Sequence, residues 1–411
     1  MWRLVPLFIL YITCFLDRVN VGFASLAMNA DLGLSATAYG FGAGILFLGY
    51  ALFEVPSNIV LARVGARRWI ALIAITWGLL SAGMMFVQGP MSLYVLRFLI
   101  GVAEAGFFPG VVYYLSHWFT ARDRAHAVAL FTTGIPISAV IGGPLSGALL
   151  GLNGVGGLKG WQWLFLVEGL PAVILGAGAL WYLTDTPQEA KWLTQEEREY
   201  LTSTLRSEQT QNADRHGLSL RGALTHPIVW QLAFMYSLAS AGTYGLALWL
   251  PQIVKGVSGA TNFEVGLLTA LPNLAAAIGM VLIGMYSDRG GDRCVHVAWC
   301  GAAGGVGFLA SAFLNSPTLS LAAFGVAAIG VYGRFGPFWT LPSRFLSGEA
   351  AAGGIALINS LGACAGFLAP YAIGYVKDVT GGFRGGLVML SALLFLSAVI
   401  ALRMRRQQLF A

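Results

Sequence analysis

Arg97-Phe-Leu-Ile-Gly-Val-Ala-Glu104-Ala-Gly-Phe-Phe-Pro109-Gly is a helix-length apolar run interrupted by one arginine and one glutamate. The two charges are seven residues apart, about two turns of helix, so they share one face. A charge at the centre of a bilayer costs about 2.5–3.5 kcal/mol on insertion scales. A chain keeps such groups where they meet a partner or line a watery cavity. Asp17-Arg18, inside the first apolar run, poses the same problem. Together the two pairs point to a polar path for an ion or an anion through a membrane.

Composition supports the membrane. The 411-residue chain is 57% hydrophobic and 10% charged, against roughly 25% charged in a soluble protein. The apolar excess has to be solvated by lipid. The pI near 9.2 does not indicate nucleic acid, because the basic residues sit in short loops between apolar runs. Cys14, Cys294, Cys300 and Cys364 have neither metal-ligand nor CxxC spacing and read as reduced, buried thiols. The first sixteen residues mimic a signal peptide, but the run resumes after Asp17-Arg18 without a small-residue cleavage site and reads as a retained first helix. No Walker loop, HExxH or GxSxG is present. We therefore expect no enzyme, cofactor or metal, and energy for uphill work from an ion gradient.

Twelve spans are expected at 4–26, 38–62, 69–88, 91–117, 125–150, 162–183, 228–254, 263–287, 294–314, 318–343, 351–376 and 385–403. The long hydrophilic stretch divides them into an N-terminal six-helix bundle (1–183), a linker (184–226) and a C-terminal six-helix bundle (227–411). The halves repeat weakly. Arg63-Val-Gly-Ala-Arg67-Arg68 follows span two, and Asp288-Arg289-Gly-Gly-Asp292-Arg293 follows span eight. Parallel six-helix repeats are one of the common transporter plans. With an even span count both termini share one side. That side carries 17 of the 24 Lys and Arg and the other side 4, so the termini and linker are expected to be cytoplasmic.

The two basic, glycine-containing loops resemble those of the major facilitator superfamily, where this pattern follows helices two and eight. The second copy fits well; the first has Leu61-Ala62 where an acidic residue is usual. Further stretches resemble the anion:cation symporter branch of that superfamily, which holds sugar-acid, tartrate and other organic-acid carriers. They are Phe15-Leu-Asp17-Arg18-Val-Asn20, Glu54-Val-Pro56-Ser-Asn58, Arg97 to Gly110, Trp163 to Pro171, and Gly336-Pro337-Phe338-Trp339-Thr-Leu-Pro342-Ser-Arg344.

The resemblance implies an all-α membrane fold of twelve helices in two pseudo-symmetric bundles. It implies that Arg18 and Arg97 hold a substrate carboxylate, that Asp17 and Glu104 take up protons, and that Tyr50, Trp339 and Asn359 line the pocket. It gives Arg63, Arg67, Arg68, Asp288, Arg289 and Arg293 a gating role. Phe15 stands where some sugar-acid carriers have tyrosine, which suggests a less hydroxylated or more apolar substrate.

The residues reach a similar scheme alone. Arginine stays charged and presents a planar fork matched to carboxylates. Burial and a nearby arginine act on a carboxylate in opposite senses, which can leave Asp17 or Glu104 titratable; the other possibility is a permanent ion pair joining helices one and four. Arg334 either faces the central cavity or binds backbone carbonyls near the inner end of helix ten. Glu54 is expected to pair with loop arginines and Glu168 to tie helix six to a neighbour. Trp69, Trp118 and Trp249 read as interfacial anchors, and His117, His126 and His296 as bystanders. The function expected is proton-coupled symport of a small organic carboxylate, with a dicarboxylate or hydroxy acid such as tartrate as the candidate, by a monomer in a bacterial inner membrane. An organic-anion exchanger without proton coupling has the same fold, and a non-transporting membrane sensor is a remote rival.

Overall fold

The computed structural model describes residues 4–213, 220–290, 292–342, 346 and 348–406. Arg344 and the side chain of His126 lie outside the described residues. All regular structure among them is helical. The twelve spans, labelled here α1 to α12, begin with α1 (Val5–Asp31), α2 (Ala36–Val64) and α3 (Ala66–Gly83). Next come α4 (Pro90–Glu104 and Phe107–Ser116), α5 (Ala121–Thr132 and Gly134–Leu150) and α6 (Gly160–Tyr182). After the linker helices Gln195–Ala213 and Leu220–Thr225 follow α7 (Pro227–Ser258), α8 (Asn262–Asp288) and α9 (Arg293–Phe313). The chain ends with α10 (Pro317–Gly333 and Phe335–Trp339), α11 (Gly348–Thr380) and α12 (Arg384–Arg406).

Local chemistry sets the ends. Ser35 accepts from the Ala38 amide (3.1 Å) and caps α2, Thr261 and Glu264 form a reciprocal box on α8, and Asp292 caps α9. Proline opens α4, α7 and α10, where its missing N–H costs nothing. Proline also breaks three spans. Pro109, Pro136 and Pro337 each stand three or four residues beyond a break, at Ala105-Gly106, Thr133 and Arg334. A ring inside a helix removes the bond to the carbonyl four residues back.

Eleven of the spans are apolar enough to cross a bilayer. The other, α7, is 32 residues long and carries Gln231, Tyr236, Ser237, Ser240, Thr243 and Tyr244. It packs against α1, α10, α11 and α12, so its polar side chains are turned to protein rather than lipid.

Packing repeats between the halves. The pairs α1–α5, α1–α6, α2–α4, α3–α4 and α3–α6 are matched by α7–α11, α7–α12, α8–α10, α9–α10 and α9–α12. The halves meet along α2–α11, α5–α8 and α1–α7, contacts that themselves exchange under the repeat. Small residues allow the close crossings. A Cβ on Gly143 of α5 would stand 2.5 Å from the Gly266 carbonyl of α8, and one on Gly44 of α2 would stand 2.6 Å from the Phe367 carbonyl of α11.

Two expectations are corrected here. Trp249 is not an interfacial anchor: it is fully buried, donates to the Pro370 carbonyl (3.2 Å) and packs edge-on against Tyr39. Its nearness to a span end misled, because α7 runs nine residues beyond it, to Ser258, and Trp249 itself is packed inside the protein. Cys364 is exposed, while the other three thiols are buried.

Candidate functional site

Midway along the helices, Arg18 of α1 donates from Nε to Glu104 Oε2 of α4 at 2.6 Å. Its guanidinium lies between the rings of Phe15 (5.0 Å) and Tyr50 (4.9 Å). Glu104 ends the first segment of α4, and its second oxygen has no partner among the described residues. The Cys14 thiol, one turn before Arg18, lies 3.7 Å from Glu104 Oε2. This is the one buried ion pair among the described residues; the other three lie in partly exposed loops and helix ends.

Arg97 does not pair with Glu104. Both terminal nitrogens are spent on carbonyls: Nη1 on Asp17 (3.2 Å), Nη2 on Arg18 (3.3 Å) and Ala43 (3.1 Å). Gly101 makes this reach possible, because any side chain there would collide with the Leu46 carbonyl of α2. Arg97 therefore clamps α1 and α2 onto α4 and fixes the backbone that carries Arg18.

Asp17 points the other way. Adjacent helical residues are turned about 100° apart, and Asp17 accepts from Ser81 (2.5 Å) and Trp77 (3.1 Å) of α3 and from Asn20 (3.3 Å). Glu168 of α6 accepts from Ser146 of α5 at 2.7 Å, joining those helices as expected.

A cavity of about 40 Å³ adjoins Arg18, lined by Phe47 and Tyr50 of α2, Tyr236, Ser240 and Tyr244 of α7, and Asn359 of α11. One water needs about 10–15 Å³ of such space, so the cavity has room for a few waters and is too small for an organic acid until the halves part. Phe47 and Tyr244 meet across it at 4.0 Å. Asn359 donates to both oxygens of Glu54, at 2.9 and 3.1 Å. The expected partners of Glu54, the loop arginines, are not its partners: Glu54 lies inside the fold, ten residues before the end of α2, while Arg63 and Arg68 are exposed.

Arg334 lies at the break in α10, 1% exposed, with its guanidinium over Tyr236 (5.0 Å) and Phe335 (4.9 Å). It donates to Thr243 at 3.3 Å, and its Nε and Nη1 are without partners among the described residues. Arg334 is thus buried inside the C-terminal half: its hydrogen bond goes to a side chain rather than to a backbone carbonyl, and it does not line the small cavity. Trp339 packs on Tyr236 (5.0 Å) and does not line the small cavity.

The basic loops tie helix ends within their own halves. Arg67 donates from its side chain to the Leu180 carbonyl and from its amide to Asp185; Arg293 meets Asp288 at 3.6 Å and Arg405 meets Asp292 at 2.7 Å. Arg289 is exposed. Phe47, Tyr236, Ser240 and Tyr244 were not picked out from sequence. A signal existed: Tyr236, Ser240 and Tyr244 fall four apart and share one face of α7, as Phe47, Tyr50 and Glu54 share one of α2.

Paired buried charges in a two-fold repeated twelve-helix body match a family model described as Major Facilitator Superfamily over residues 7–370. The chain belongs to that superfamily. A protein of Agrobacterium vitis, named provisionally as a tartrate transporter, is 50% identical over 408 residues, covering 98% of this chain and 90% of the relative. A quinolone resistance transporter of Acinetobacter baumannii is 43% identical over 413 residues, covering 99% and 95%. Among solved structures, a bacterial homologue of the lysosomal transporter Spinster superposes with a TM-score of 0.79 at 17% identity, covering 98% and 96%. The superfamily member described here is an integral membrane transporter and not an enzyme, and its relatives agree with the organic-acid branch that the motifs resemble.

Proposed function

We propose that the protein carries a small organic dicarboxylate of the tartrate class together with protons, by alternating access, as a monomer with both termini in the cytoplasm. The observation that carries this reading is Arg18, paired with Glu104 beside a cavity shared by both halves. A protonated Glu104 releases Arg18, whose fork then takes a substrate carboxylate. Proton and anion thus favour each other's binding. Arg97 and Asp17 hold α1 in register, so that Arg18 keeps its place. Tyr50 and Asn359 complete the pocket. Arg334 offers a second positive group from the C-terminal half, for the second carboxylate, once Tyr236 moves aside. Trp339 supports Tyr236. The loop groups Arg63, Arg67, Arg68, Asp288, Arg289 and Arg293 anchor helix ends as the halves rock.

The test uses purified protein in liposomes with labelled tartrate. An inward proton gradient is expected to drive accumulation. Glu104→Gln is expected to lose accumulation and to keep exchange of internal for external tartrate. Accumulation retained in Glu104→Gln would instead favour an anion exchanger or another coupling group.

A further inference from the structure

We propose that Glu54 is a second coupling group, which holds Asn359 in the empty site as Glu104 holds Arg18, so that a dicarboxylate displaces two internal carboxylates and travels with two protons. The proposal rests on the symport reading above and assigns its stoichiometry.

Glu54 is 7% exposed. Both its oxygens are engaged by one amide nitrogen, Asn359 Nδ2. No ion pair involves it among the described residues. A buried carboxylate facing a neutral donor lacks the compensation that an ion pair supplies. Its contact is Asn359 from α11, and the cavity that Asn359 lines is shared by Arg18 from α1, Tyr236 from α7 and, one turn from Glu54 on its own helix, Tyr50. Arg18 is the cation of that set, and Glu104 already occupies its Nε.

The two internal pairs therefore have one design. In each, a donor that lines the cavity, Arg18 or Asn359, is bound to a carboxylate of the protein itself. One pair lies within the N-terminal half; the other bridges the halves through α2 and α11. A substrate with two carboxylates offers each donor a replacement: one carboxylate takes Arg18, and the other takes the Asn359 amide together with the charge of Arg334. Each displaced acid takes one proton from the side on which the site is open. Two protons and one dianion enter, and the transported charge sums to zero. On the opposite side the dianion leaves, both protons dissociate, and the two internal pairs re-form.

Proton flux and labelled tartrate flux are measured in the same proteoliposomes, with and without an inside-negative potential. The wild type is expected to move two protons per tartrate, at a rate indifferent to the potential. Glu54→Gln is expected to move one, so that a net negative charge enters and the potential slows uptake several-fold. Tartrate exchange, which needs no net proton movement, verifies that the variant folds and binds. Equal ratios in wild type and an exchanging Glu54→Gln overturn the proposal. If Glu54→Gln does not exchange, the wild-type ratio decides: one proton overturns it, while two protons, retained in Glu54→Asp, uphold it. Tartrate transport without protons, or no tartrate transport by the wild type, defeats the symport reading and this proposal with it.

Discussion

Arg18 and Arg97 are both buried, yet their hydrogen bonds commit them to different tasks. Arg18 presents its fork to a carboxylate and a cavity; Arg97 spends its terminal nitrogens on three carbonyls from two helices. A lysine offers one nitrogen where Arg97 uses two. Arg97→Lys is therefore expected to lower stability by about 1–3 kcal/mol, the cost of leaving buried acceptors unmade, seen as a lower unfolding temperature in detergent. Arg18→Lys is expected to weaken tartrate binding more than Arg97→Lys does, by calorimetric titration; the reverse order would return Arg97 to direct contact with substrate. Arg334 supplies a sharper residue-level test. Its Nε and Nη1, which have no partner among the described residues, leave three N–H groups for an acceptor. Arg334→Ala is expected to reduce affinity for tartrate at least ten-fold more than for a monocarboxylic analogue, and equal losses would leave Arg334 a purely internal group stacked on Tyr236.

At the scale of the helix, the breaks do the positioning. Glu104 is the last residue before the interruption that Pro109 imposes on α4, and Arg334 sits in the interruption that Pro337 imposes on α10. The two helices are equivalents in the repeat, so each half places a charged group at a proline break. Pro109→Ala allows the bond back to the Ala105 carbonyl and straightens α4. It is expected to leave helix content by circular dichroism unchanged while cutting proton-driven uptake several-fold; unaltered uptake would mean that the bend is incidental. These breaks were legible in the sequence, since a proline fixes its own consequence four residues back. The twelve spans and the Arg18–Glu104 depth were legible for the same reason: length, apolarity and helical period are local. What Arg97 and Glu54 touch was not. Seven residues between Arg97 and Glu104 place them on one face, but a carbonyl has no signature in sequence, and Asn359 lies 305 residues from Glu54. The packing of helices distant in sequence decides such contacts, within one half for Arg97 and across the halves for Glu54, and local pattern does not contain it.

Across the whole molecule, the end remote from the termini is closed. Asp378 of α11 accepts from the Ala36 and Thr37 amides at 3.0 and 2.7 Å, adding a cap to α2 from the opposite half. Gln252 donates to Ser25 at 2.9 Å and Tyr39 to the Leu248 carbonyl at 2.7 Å. Between these bonds the seams are backbone laid against backbone, as Gly143 against Gly266 shows. Gly143→Ala puts a methyl where neither chain can yield, and is expected to hold α5 and α8 apart at this end. Spin labels on the two helices would read a longer separation there, and an unchanged distance would show that the seam has slack. The same bareness has a mechanical side. Surfaces that interlock through long side chains have teeth, and parting them means turning many rotors out of their wells. Along the glycine crossings the mating faces are nearly smooth and can separate with little friction, so the latch strength is left to a handful of hydrogen bonds and to the rings of Phe41 and Phe47 against Phe367, Tyr371 and Tyr244.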